Sequence, residues 1–167
     1  NVENVIIPCG IPYMFSSLKD PELNKLGTKP LEDNGIQVVV DEAVRIDRKN
    51  KMVETKKGNR YYYEKLVLAL GSLPVIPNIP GIDKKGIYPI YKDMDYMKKL
   101  VSEVKNSKNI LIVGGGFIGV EIADEISNLE GKNVYIVEIL PHILMNSFDE
   151  EFCVIAEEKL KSKGVNI

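Results

Sequence analysis

The stretch that most constrains this chain is "NILIVGGGFIGVEIADEI", Asn109 to Ile126. Ile110 to Val113 form a wholly apolar run that ends in three glycines, and a helical pattern starts directly after them. Such a run bounded by turn residues reads as a strand. Gly114, Gly116 and Gly119 satisfy G-x-G-x-x-G between that strand and the helix, which is the context that gives the pattern meaning. In this unit the first glycine makes the tight turn, the second admits a pyrophosphate close to the backbone, and the third lets helix and strand pack together. The phosphates then sit at the helix N-terminus, where unpaired N–H groups and the positive end of the dipole favour an anion. Gly114, Gly116, Phe117, Ile118 and Gly119 are therefore the candidate dinucleotide-binding residues.

The next strand, "NVYIVEI", carries Glu138 nineteen residues past Gly119, close to the ~20 expected for an acid that binds ribose hydroxyls. A carboxylate there repels a 2′-phosphate, and no Arg or Lys follows in "ILPHILM". The expected nucleotide is NAD(H), not NADP(H). Glu121, one turn into the helix, could reach the reactive end of a bound cofactor. Around this unit Met94, Met97, Leu100, Val101 and Val104 recur at helical spacing, and "FDEEFCVIAEEKLKSKG" is a further helix. The order is βαβ, a Rossmann-like parallel unit.

Upstream the grammar differs. "GIQVVVDEAVRIDRKNKMVETKKGNRYYYEKLVLALG" alternates β-branched and aromatic runs with charged turns, which predicts a three-stranded meander near Gln37–Asp47, Lys51–Lys56 and Tyr61–Leu70. The proline-rich "GSLPVIPNIPG" can continue neither helix nor central strand and reads as a linker. The fold class is α/β, with one domain over 1–82 and a second, Rossmann-like, over 83–167.

With 22 basic and 24 acidic residues the formal charge is −2, so the chain lacks the footprint of a nucleic-acid or membrane-surface binder. A small-molecule substrate is the expected partner. Two cysteines and one histidine supply neither a disulfide framework nor a metal-ligand cluster, and no apolar run reaches the ~20 residues of a membrane span. A cytoplasmic protein is expected.

Cys9 lies between Pro8 and Pro12 on what should be a rigid turn, and two readings stay open: a packed core thiol or a reactive one. A short helix after Pro12 would aim its first N–H groups towards the sulfur. Cys153 is expected on the apolar side of its helix with Phe152, Ile155 and Ala156. Glu125 is expected on a solvated face, and His142 has no evident partner.

Taken together, the Cys-Gly-Ile-Pro-Tyr turn, the meander closing on "LVLALGSLPVIPNIPG", and "ILIVGGGFIGVEIADEI" ending in "VYIVE" resemble the FAD-dependent pyridine nucleotide-disulfide oxidoreductases. The resemblance covers essentially the whole chain. A single cysteine with no second one four or five residues on is similar to the branch of NADH oxidases, NADH peroxidases and coenzyme A-disulfide reductases. The resemblance implies FAD beside NAD(H), with Cys9 as the redox centre. Val44, Ala69, Gly71 and Ser72 would contact the flavin, and the acceptor would be a disulfide, peroxide or oxygen. "ALGS" stands where the family has Ala-Thr-Gly, so Leu70 replaces a hydrogen-bonding threonine. The family's first FAD glycine motif and its dimerisation segment have no counterpart here, which implies a fragment of a longer, homodimeric protein. Two other functions are compatible: a rubredoxin or ferredoxin reductase with Cys9 a bystander, and a dinucleotide-binding module without catalysis.

Overall fold

The computed structural model describes residues 5–167; the first four residues of the expected 1–82 domain lie outside it. The described chain forms two compact units that interleave along the sequence. One is Gly27–Val75, and the other combines residues 5–26 with Ile76–Ile167.

The first unit holds a one-turn helix α1 (Lys29–Asp33) and an antiparallel sheet of β1 (Ala43–Asp47), β2 (Met52–Thr55) and β3 (Arg60–Tyr62), in the order β1-β2-β3. Asp47 makes the first hairpin turn by accepting from the Asn50 backbone N–H at 3.0 Å and side-chain amide at 2.9 Å. Gly58, at φ +84°, makes the second. The expected meander is present but shorter than its sequence pattern. Residues 37–42 and 63–70 are not strand, because β2 offers only four residues to pair with. Its register ends at Thr55 opposite Ala43 and at Met52 opposite Tyr62. Alternation alone cannot make a strand without a neighbour's N–H and C=O groups.

The second unit starts with three 3-10 turns, Pro8–Gly10, Pro12–Phe15 and Pro21–Asn24, each opened by a proline. After them come α2 (Met94–Asn106), β4 (Asn109–Val113), α3 (Phe117–Ser127), β5 (Asn133–Val137) and α4 (Glu150–Ser162). Strands β4 and β5 pair in parallel from Asn109↔Asn133 to Val113↔Val137. Beyond α4, "GVNI" adds one parallel bridge, between Tyr135 and Asn166. Asp93 caps α2 by accepting from the Tyr96 N–H at 2.9 Å. The predicted stripe of Met94, Met97, Leu100, Val101 and Val104 is the buried face of that helix.

The core gathers this stripe with Ile6, Ile11, Met14 and Phe15 from the turns and with Ile122, Ile126, Val134 and Ile136. Opposite this core, Leu111 and Val113 of β4 and Tyr135 and Val137 of β5 are exposed. Helix α4 corrects one expectation. Its buried side is Cys153, Glu157 and Leu160, at i, i+4 and i+7, whereas Phe152 and Ile155 are each 61% exposed. The helical period admits one face only, and a glutamate occupies it.

Candidate functional site

The turn between β4 and α3 is built by backbone geometry. Gly114 adopts φ +104°, which side chains rarely tolerate, and its N–H donates to the Val137 carbonyl at 2.9 Å. At Gly119 a Cβ would lie 2.0 Å from the Gly114 oxygen and 3.3 Å from Ile112 Cγ2. Only glycine brings helix and strand this close. Gly116 precedes α3 in extended conformation with no side-chain cap, and the first helical turn has no acidic residue. The helix start therefore leaves N–H groups for an anion. Phe117 and Ile118 flank it, both exposed.

Glu138 follows directly on β5. One carboxylate oxygen accepts the Gly115 N–H at 2.6 Å, and the other accepts from Ile139 at 2.8 Å and Leu140 at 2.9 Å. The Leu140 and Gly115 N–H groups hold its carboxyl below the ordinary value of 4.5. An ionised acceptor thus stands at the glycine turn, suited to ribose hydroxyls and hostile to a 2′-phosphate. The expected pairing of turn and acid is met in geometry. A dinucleotide fits these residues: a left-handed glycine, an open helix start, and an acid fixed beside them.

Cys9 is an exposed free thiol in the Pro8–Gly10 turn, so it is not a packed core cysteine. Asn24 braces that turn: its amide donates to the Ile7 carbonyl at 3.0 Å, and a Cβ on Gly10 would lie 1.8 Å from Asn24 Oδ1. The short helix expected after Pro12 is the single 3-10 turn Pro12–Phe15. Cys153 is buried as expected, and burial pushes its thiol up, with Glu157 adding to the effect.

Two charged groups depart from expectation. Glu125 is 7% exposed, not solvated, and its two oxygens accept the Ser17 N–H and hydroxyl at 2.8 Å each. These bonds bind the Cys9 segment to α3. Glu121, by contrast, is exposed; with Tyr13 and Glu125 it lines an open cleft of about 290 Å³. His142 does have partners: its Nδ1 lies 3.1 Å from Glu157 and its Nε2 lies 3.6 Å from Glu150. The helical spacing of Glu125 with Ile122 and of Glu157 with Cys153 was the available signal for both burials. Val44, Ala69, Gly71 and Ser72 are all exposed in the first unit, which by itself gives a flavin no enclosed cradle. Among the described residues there is no metal-ligating cluster, and no helix is long and apolar enough to cross a membrane.

Parallel strands, a glycine turn and an acid at the second strand's end define the class as a dinucleotide-binding α/β protein. The chain belongs to the pyridine nucleotide-disulphide oxidoreductase family, whose model matches residues 10–167, and with membership come the family's cofactors, FAD and NAD(H). It is 35% identical to an NAD(P)H coenzyme A polysulfide/persulfide reductase of Pyrococcus horikoshii, over 96% of this chain and 37% of that protein. It is also 35% identical to an NADH oxidase of Enterococcus faecalis, over 87% of this chain and 32% of that one. The crystal structure of NADH:rubredoxin oxidoreductase from Clostridium acetobutylicum matches with a TM-score of 0.78 at 29% identity, covering 100% of this chain and 44% of that one. The chain thus spans about a third of the length of these curated relatives.

Proposed function

We propose that this chain is part of a cytoplasmic, homodimeric flavoprotein oxidoreductase that oxidises NADH and reduces a disulfide, peroxide or oxygen at a single redox cysteine, Cys9. In that enzyme residues 1–82 contribute to the FAD-binding domain and 83–167 to the NAD(H)-binding domain. The observation that carries the reading is Glu138, held ionised by backbone N–H groups at the mouth of the Gly114–Gly119 turn.

In this mechanism the N–H groups around Gly116 to Gly119 bind the pyrophosphate. Glu138 accepts from the ribose hydroxyls and turns NADPH away by like charge. Glu121 lies one helical turn further on, towards the nicotinamide end. FAD, when bound, supplies the two-electron chemistry between nucleotide and sulfur, and Val44, Ala69, Gly71 and Ser72 are the residues that would contact it. Cys9, exposed on its rigid turn, carries the acceptor as a sulfenic acid or mixed disulfide. The family match and the names of the Pyrococcus and Enterococcus relatives support the NADH oxidase or coenzyme A-disulfide reductase type.

The whole-chain match to the rubredoxin oxidoreductase favours a second reading, in which electrons leave to a small electron-transfer protein and Cys9 is a bystander. Two measurements test these readings. Titration of the chain with each nucleotide should favour NADH, and Glu138→Ala should reduce that preference by about 1–3 kcal/mol, the size of one charged hydrogen bond. Equal binding of NADPH by the unmodified chain would refute the role given to Glu138. In the whole enzyme, Cys9→Ser should abolish disulfide or peroxide turnover and leave NADH-driven flavin reduction intact. Undiminished disulfide reduction would favour the electron-transfer reading.

A further inference from the structure

Glu157 is a charged residue only 8% exposed, in the middle of the buried face of α4. Burying a carboxylate is costly unless its oxygens are paired, and here the partners have a pattern. One oxygen faces His142 Nδ1 at 3.1 Å and accepts the Ile143 N–H at 3.2 Å, while the other pairs with Lys161 of the same helix at 3.0 Å. Two of the three partners are thus consecutive residues of the loop that joins β5 to α4.

That loop grips the glycine turn. The Ile143 side chain covers Gly115 so closely that a Cβ there would lie 2.6 Å from Ile143 Cγ2. Leu144 N–H donates to the Gly115 carbonyl at 2.7 Å, and Glu138, at the loop's other end, accepts the Gly115 N–H at 2.6 Å. Both polar groups of Gly115 are therefore held by one loop. Leu144 takes φ +61° to reach its partner, a conformation that L side chains adopt only when the surroundings over-determine it. The Glu157 bond to the adjacent Ile143 N–H supplies that constraint.

We propose that Glu157 is a positioning residue for nucleotide choice: through His142 and Ile143 it holds the 138–144 loop so that the Glu138 carboxylate faces the ribose site. This rests on reading Gly114–Gly119 and Glu138 as the NADH site. A loosened loop lets the carboxylate drift from both the ribose hydroxyls and the position of a 2′-phosphate. NADH then loses an acceptor, and NADPH loses a repulsion.

The test is fluorescence titration of the chain and its variants with NADH and with NADPH. Glu157→Ala should weaken NADH binding about tenfold, the size of one charged hydrogen bond, without weakening NADPH, so the ratio of the two affinities falls. Glu157→Gln, which keeps an oxygen for the Ile143 N–H, should recover part of that ratio. His142→Ala, at a half-buried loop position, should lower it in the same direction and serves if the Glu157 variants fail to fold by circular dichroism. In a Glu138→Ala background, none of these substitutions should move the ratio further. Equal weakening of both nucleotides, an unchanged ratio, or a ratio that still moves without Glu138 would each overturn the proposal. An unmodified chain that binds neither nucleotide would instead refute the NADH site itself.

Discussion

The meander and the nucleotide-binding unit are both built from apolar and polar residues in clear periods, yet they bury them very differently. In β1, β2 and β3 only Met52 and Thr55 are buried, and Val44 and Ile46 are 55% and 40% exposed. In the second unit, α2 alone buries five apolar side chains against a core that also draws on the proline-led turns and on β5. Hydrogen-bonded ladders hold the first unit in register, and the hydrophobic effect holds the second. Periodicity in sequence therefore reports which face could be covered, not whether the unit itself covers it.

The sharpest break in this contrast comes from the Cβ of a single side chain. Gly119→Val sets a side chain 2.0 Å from the Gly114 backbone oxygen, which cannot swing aside. The cost should exceed the ordinary ~1–3 kcal/mol of overpacking, and urea unfolding should find the second unit lost. Gly116→Ala is the control three residues away, where a Cβ meets nothing within 4 Å; it should cost less than about 1 kcal/mol.

A core truncation separates the units next. Met97→Ala, at a fully buried position, should cost about 2–3 kcal/mol. Val44→Ala in the exposed meander should stay within about 0.5 kcal/mol. Comparable losses at both positions, read by urea midpoints, would mean that the meander is covered after all.

Acid acts on the second unit through Glu157. Burial raises its carboxyl, but the Lys161 and His142 contacts prevail and hold it below the ordinary 4.5. Because the folded value is the lower one, its stabilisation is complete above pH 4.5 and is lost as pH falls through the folded value. Thermal melts between neutral and strongly acid pH should show this fall, and Glu157→Gln should flatten it in part, leaving the share of Glu138, whose carboxyl is also held below 4.5. The smallest effect belongs to the first hairpin. Lys51 sits at φ +48°, so Lys51→Gly should raise hydrogen-exchange protection of β1 and β2 by no more than about 1 kcal/mol, relief of strain less the entropy of glycine.

These contrasts also explain which parts of the molecule could be read in advance. The glycine turn, the acid after β5 and the α2 stripe are local patterns with one physical solution each, and all three occupy the expected places in the fold. The length of β1 depended on where β2 stops, which no residue between 37 and 42 encodes. Glu125 and Glu157 were hidden by a general expectation that charge on a helix faces water. Apart from Lys161, one helical turn past Glu157, their partners are remote in sequence, 108 residues away for Ser17 and 14 or 15 for the 142–143 loop. A buried carboxylate can be anticipated from spacing only when the residue that satisfies it can be anticipated too.

The Ser17–Glu125 clasp has a consequence in time as well as in space. Its two residues are separated by 108 positions, with the whole meander unit between them. At a synthesis rate of roughly 5–20 residues per second, the Cys9 segment waits between about 5 and 20 seconds on the ribosome before its helix exists. The intervening unit, local in its pairings, has ample time to form its hairpins first. The Cys9 segment is thus secured to α3 only after a long stretch of later chain has been made, and its thiol passes that interval without the Ser17–Glu125 contact.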